Sequence, residues 1–143
     1  MPFALDPAFS DSAITLGDFA LCRVLLQDDA RYPWLVLVPR RPALAEIIDL
    51  EPADRALLMD EIAAASSALK ALYQPDKLNV GALGNHVRQL HIHVIARFAS
   101  DPAWPGPVWG HSPAVPYAAH VAGMTADRLA KALVPHGLKE AHP

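Results

Sequence analysis

From Gln89 to Val94 the chain alternates polar and apolar residues one by one, in the run Gln89-Leu90-His91-Ile92-His93-Val94. Successive side chains of a strand point to opposite faces. The pattern therefore predicts a strand with Leu90, Ile92 and Val94 packed on a core and Gln89, His91 and His93 in a row on the other face. Gly84-Asn85 just upstream reads as the turn that feeds it. Three further runs predict strands. Phe19 to Leu26 is apolar except for Arg23, and Trp34 to Val38 is wholly apolar up to Pro39. The short polar turn between them suggests an antiparallel hairpin. Lys77 to Ala82 is the third.

Helical spacing follows Pro52, a residue suited to the first helical position, with Asp54 complementing the N-terminal dipole. Leu58, Ile62, Ala65, Leu69 and Leu72 then share one helical face, and Gln74-Pro75-Asp76 ends the run. Thr125 to Leu133 predicts a final helix, with Thr125 as N-cap and Leu129, Ala132 and Leu133 inward. Residues 1–18 are mixed, with turn or cap signals at Asp6-Pro7 and Ser10-Asp11-Ser12 around a short helix. Asp101 to Gly110 is too rich in proline for helix or central strand, and its Trp104 and Trp109 need something to pack on. The tail beyond Pro135 reads as loose. Strands joined by short turns, with helices segregated from them, indicate an α+β fold: an antiparallel sheet covered by one long helix and a C-terminal helix. The 143 residues suit one domain, 1–143, with its core at about 15–98 and a proline/tryptophan loop and helix at 99–143.

Composition narrows the classes. Apolar residues make up 52%, ample for a core, and the net charge of −3 argues against nucleic acid or an acidic membrane as partner. The single cysteine, Cys22, excludes an intrachain disulfide and fits a cytoplasmic setting. No signal peptide or membrane span is evident in the pattern.

The polar row carries the chemistry. Neutral imidazole is a nucleophile at physiological pH, because its pKa lies near about 6.5. Attack on phosphorus by one ring nitrogen needs the other N–H pinned, and the charge developing on phosphoryl oxygens needs fixed donors. His91 has neighbours suited to both tasks. Gln89 can accept from an imidazole, His93 can donate to a phosphoryl oxygen, and Asn85 can donate through its amide.

The run Gln89-Leu90-His91-Ile92-His93-Val94-Ile95 resembles the histidine-triad (HIT) motif, three histidines alternating with apolar residues, with glutamine in the first position. Asn79 and Gly84-Asn85 resemble the family's lead-in. Trp34 to Pro39 followed by Asp49-Leu50 resembles its strand, proline and helix entry. The likeness spans roughly residues 15 to 98. It implies a nucleotide-binding α+β fold, usually a homodimer, that hydrolyses or transfers at the α-phosphate of a nucleotide through a nucleotidyl-histidine intermediate. It also implies His91 as nucleophile, His93 and Asn85 as phosphate contacts, and Asn79 near the ribose or phosphates. No cofactor is required for such chemistry, although a divalent cation can accompany a polyphosphate substrate.

The chain departs from the pattern at four places, one of which, Ala96-Arg97 for the commoner Pro-Arg, is without expected consequence. Gln89 replaces a structural and orienting histidine. Trp34 stands where many members carry a further histidine, so that supporting contact is expected to be missing. Asp28 lies near a position where asparagine often meets the ribose. Three readings stay open: a nucleotide hydrolase or transferase, a nucleotide-binding module that has lost activity, and a metal site built on His91 and His93 with His86, His111 or His120. Alternating histidines alone would also fit a solvated strand face.

Overall fold

Side chains alternate between two cores across one sheet, and that alternation decides which face carries the histidines. The computed structural model describes residues 2–143. Five strands, β1 (Ala13–Asp18), β2 (Cys22–Gln27), β3 (Trp34–Pro39), β4 (Lys77–Gly81) and β5 (Ile92–Arg97), form one antiparallel sheet in the order β1-β2-β3-β5-β4. Cys22, Val24 and Leu26 of β2, Leu35 and Leu37 of β3, and Ile92 and Val94 of β5 pack on one side. Leu25, Trp34, Val36, Val38 and Ile95 pack on the other.

Two helices cover the first side. Helix α2 (Pro52–Tyr73) starts at the proline and stops where Gln74 adopts a left-handed conformation at φ 50°, its N–H donating to the Lys70 carbonyl at 3.0 Å. It buries Leu58, Ala65, Ala68 and Leu69. It also buries Glu61, whose carboxylate accepts from the Leu21 and Cys22 amides, each at 2.8 Å. The carboxylate thus satisfies two backbone donors at the β1–β2 turn that would otherwise lose their water partners. Helix α3 (Ala119–Leu133) adds Leu129 and Leu133.

Among the described residues, no long helix covers the second side. It is closed by an N-terminal segment carrying the short helix α1 (Pro7–Ser12) and by the loop after β5, through Phe9, Ala103 and Val108, with Phe3, Leu5 and Trp109 partly buried against them.

The α+β class, the hairpin and the long helix match the sequence pattern. Four details differ. Residues 13–18, unassigned from the pattern, form β1, and the predicted strand from Phe19 begins only at Cys22, because Phe19 turns back onto it (Phe19 N–H to Cys22 carbonyl, 2.8 Å). Helix α3 begins at Ala119, so Thr125 lies inside it rather than capping it. The tail is docked: Asp18 and Lys139 exchange backbone bonds of 2.8 and 2.9 Å, and Leu138 is buried. Finally, β5 starts at Ile92, so Gln89 and His91 precede the strand. There the backbone leaves the sheet, and the Leu90 N–H donates to the Leu44 carbonyl at 3.0 Å. Side-chain alternation survives this change, with Leu90 on the helix side and His91 opposite.

Candidate active site

His93 stands in the middle of the sheet, paired with Val36 on β3 and Gly81 on β4. Gly81 is the residue such a position needs. A Cβ there would come 3.2 Å from the Trp109 ring, which packs edge-on against His93 with centroids 5.3 Å apart. From the β3 side the Trp34 indole Nε1–H donates to His93 Nδ1 at 2.9 Å. An indole nitrogen only donates, so His93 Nδ1 must be bare and its proton must sit on Nε2. Burial, and then the neighbouring His91, lower the His93 pKa to about 4, so the ring is neutral at pH 7.

His91 holds the complementary tautomer. Its Nδ1 lies 2.7 Å from the Gln89 backbone carbonyl. A carbonyl only accepts, so Nδ1 carries a proton, and in the neutral ring Nε2 is the nitrogen with the lone pair. The two rings meet edge to face at 4.9 Å and 75°. Phe9 also packs edge to face with His91, at 4.9 Å and 76°. One imidazole thus offers a lone pair and its neighbour an N–H, with both rotations fixed by hydrogen bonds and aromatic edges.

A cleft of about 230 Å³ opens over this pair. Phe9, Trp34 and Trp109 form its aromatic walls, Ser12 and Gln27 its polar edge, and Leu83 to Val87 its rim, with His91 and His93 at the base. Asn85 and His91 also border a second, more polar recess of about 230 Å³ with Glu46 and Arg88. His91 therefore stands between an aromatic and a polar compartment.

Of the residues singled out in the sequence, the structure brings His91, His93 and Asn85 together. It places three others elsewhere. The Gln89 side chain does not meet an imidazole. Its carboxamide bonds the N-terminal segment, accepting from the Asp6 N–H at 2.8 Å and donating to the Ala4 carbonyl at 2.9 Å, and only its backbone carbonyl orients His91. The Asn79 Oδ1 accepts from Arg97 Nη1 at 2.8 Å, which ties it to the far end of β5. Asp28 lies past the end of β2, and its Oδ1 accepts from the Tyr117 N–H at 2.9 Å, while Gln27 reaches the cleft. Arg97 is buried, paired with Asp101 at 2.8 and 3.0 Å, and so supplies no positive charge to the cleft.

The sequence also left residues unread. Trp34 was expected to mark a lost contact, yet its indole takes up the bond to His93. Phe9 carried no signal beyond the helix start at Asp6-Pro7. Among the described residues, no three His, Cys, Asp or Glu side chains converge as a metal site would require, and no helix is long and apolar enough to cross a membrane.

The HIT domain family matches residues 10–100. Three solved structures are similar over nearly their whole length. A histidine triad protein of Bradyrhizobium japonicum is 44% identical, with 93% of this chain and 99% of that one covered and a TM-score of 0.89. One from Sinorhizobium meliloti is 43% identical, with 90% and 96% covered and a TM-score of 0.87. One from Marinobacter aquaeolei is 41% identical, with 94% and 98% covered and a TM-score of 0.91. No curated protein matches. Sequence, fold and the paired imidazoles agree, and the chain belongs to the histidine-triad (HIT) family.

Proposed function

We propose that the protein is a hydrolase or transferase acting at the α-phosphate of nucleoside 5′-phosphate derivatives, such as dinucleoside polyphosphates or phosphoramidates. The observation that carries this reading is the opposed pair of tautomers: His91 with a free Nε2, His93 with an Nε2–H. His91 Nε2 attacks the α-phosphorus and forms a P–N bond, while the bond to the leaving group breaks with its electron pair. The His93 N–H and the Asn85 amide donate to the phosphoryl oxygens as charge develops. Water then adds to phosphorus, its proton passes to solvent, and the P–N bond breaks to free the nucleoside monophosphate and restore the His91 lone pair.

The aromatic cleft suits the nucleoside, and the polar recess beyond His91 suits the leaving group. Asn79 and Asp28 are held by Arg97 and Tyr117, so the contacts that the family resemblance gives them pass in this reading to Ser12 and Gln27. No cofactor is needed, and a divalent cation would enter only with a polyphosphate. The homodimer that the family resemblance suggests would be seen directly by light scattering.

The test is a hydrolysis panel with His91→Ala as control. Turnover is expected to vanish in His91→Ala while the fold and much of the nucleotide affinity remain. An acid-labile nucleotidyl adduct should appear on the wild-type protein by mass spectrometry. Hydrolysis by His91→Ala at the wild-type rate would sink this mechanism. Binding without adduct or product, across several leaving groups, would instead mark an inactive nucleotide-binding module.

A further inference from the structure

We propose that the Gln89 carboxamide is a positioning group: a two-point clasp that fixes the N-terminal segment and thereby sets Phe9 against His91. In its consequences for turnover the proposal rests on the reading of His91 given above.

The amide accepts from the Asp6 N–H at 2.8 Å and donates to the Ala4 carbonyl at 2.9 Å. Two bonds to backbone groups two residues apart imitate a strand neighbour, and they fix the register of the segment as well as its distance. Asp6 in turn starts helix α1. Its Oδ1 accepts from the Ala8 N–H at 2.9 Å, and its carbonyl accepts from the Phe9 N–H at 3.0 Å. Fixing Asp6 therefore fixes Phe9 one turn later. Phe9 is 5% exposed, and its ring meets the His91 ring at 4.9 Å. The other apolar anchors of the segment, Phe3 and Leu5, are only partly buried. Apolar contact is non-directional, so these anchors tolerate a sliding that the two amide bonds forbid.

Gln89 thus acts on His91 twice. Its backbone carbonyl holds Nδ1, and its side chain holds the segment whose Phe9 ring packs against the imidazole. The histidine common at this position in the family cannot do the second task. A carboxamide presents its donor and acceptor side by side, matched to a backbone carbonyl and N–H, whereas the two nitrogens of an imidazole diverge. Glutamine here is a fitted residue, not a decayed histidine.

The experiment compares the full-length wild type, Gln89→Ala, Gln89→His, Phe9→Leu and Gln89→Ala/Phe9→Leu by amide exchange, histidine NMR and turnover of adenosine phosphoramidate. The Asp6 amide is expected to be protected in the wild type. It should exchange about tenfold faster or more in both Gln89 single variants, consistent with the loss of one net hydrogen bond, and the His91 ring resonances should move. The value of kcat is expected to fall about tenfold in both, and adding Phe9→Leu to Gln89→Ala should lower it little further, because changes acting through one contact are not additive. Equal Asp6 protection in wild type and Gln89→Ala would overturn the clasp. So would wild-type protection and turnover in Gln89→His, or strictly additive losses in the double variant. A wild type that protects the Asp6 amide, with His91 resonances that depend on Gln89, but turns over no member of the hydrolysis panel would support the clasp and overturn the proposed function.

Discussion

The indole of Trp34 does for His93 what a backbone carbonyl does for His91: each removes one of two tautomers. Trp34→Phe keeps the ring and its edge contact with His93 but deletes the donor. His93 Nδ1 is then buried without a partner, at a cost of about 1–3 kcal/mol, and the ring is free to move its proton to Nδ1. A lower urea midpoint and an altered pattern of ¹⁵N shifts at His93 are the expected results, with unchanged His93 shifts as the contrary one. That the two histidines and Asn85 would come together was legible in the sequence, because alternation and a glycine turn are local signals. The sequence could not reveal Trp34 as their partner. That bond joins residues 59 apart in sequence, and the identity of a donor in a neighbouring strand depends on register. Asn79 and Asp28 lie away from the cleft for a related reason. Side-chain amides and carboxylates go to whichever buried donor lies nearest, here Arg97 and the Tyr117 N–H.

Among the elements, the proline-rich loop shows how an irregular segment is made specific. Arg97 ends β5 and is 2% exposed, yet four of its five N–H donors are used. Asp101 binds Nε and Nη2, Asn79 binds Nη1, and the Gly106 carbonyl binds Nη2 at 2.8 Å. Its cation also sits over the Tyr32 and Trp104 rings. The bidentate bond from Arg97 lowers the Asp101 pKa to about 2. This one side chain anchors the loop that carries Trp109 back to His93. Arg97→Met leaves the Asp101 carboxylate with the Phe98, Ala103 and Trp104 N–H donors but without its cation, for which about 3–5 kcal/mol of destabilisation is expected. Urea unfolding measures that loss, and a change below 1 kcal/mol, within the range of exposed pairs, would show that the loop is held by its apolar contacts instead. The helices and the apolar strands were legible because their periodicity is continuous. Strand β1 was not, since Ala13-Ile14-Thr15-Leu16-Gly17-Asp18 is short and its Gly17, whose added Cβ would lie 2.4 Å from the Lys139 carbonyl, reads as a break until the docked tail explains it.

At the scale of the whole molecule, the sheet is covered unequally. Helices α2 and α3 close one face, while the histidine face is closed by the N-terminal segment and the loop after β5, neither of which lends a strand to the sheet. The cover can therefore part without breaking the ladder. Protonation of His93 supplies the force. Its pKa is about 4 when closed in and near about 6.5 when open to water. Between those values the open form binds more protons, so the closed form loses stability as pH falls from about 6.5 to about 4, by on the order of 3 kcal/mol in total. Asp101 stays ionised over this range and continues to anchor the loop through Arg97, so the N-terminal segment is the part expected to yield. All three tryptophans, Trp34, Trp104 and Trp109, belong to the histidine face or its loop, whereas the two long helices belong to the other. Acid titration should therefore change tryptophan fluorescence between about pH 6.5 and 4 while the far-ultraviolet circular dichroism stays nearly constant. Simultaneous loss of both signals would mean that the seam and the sheet open as one unit, and that the histidines are locked by the whole fold and not by its cover.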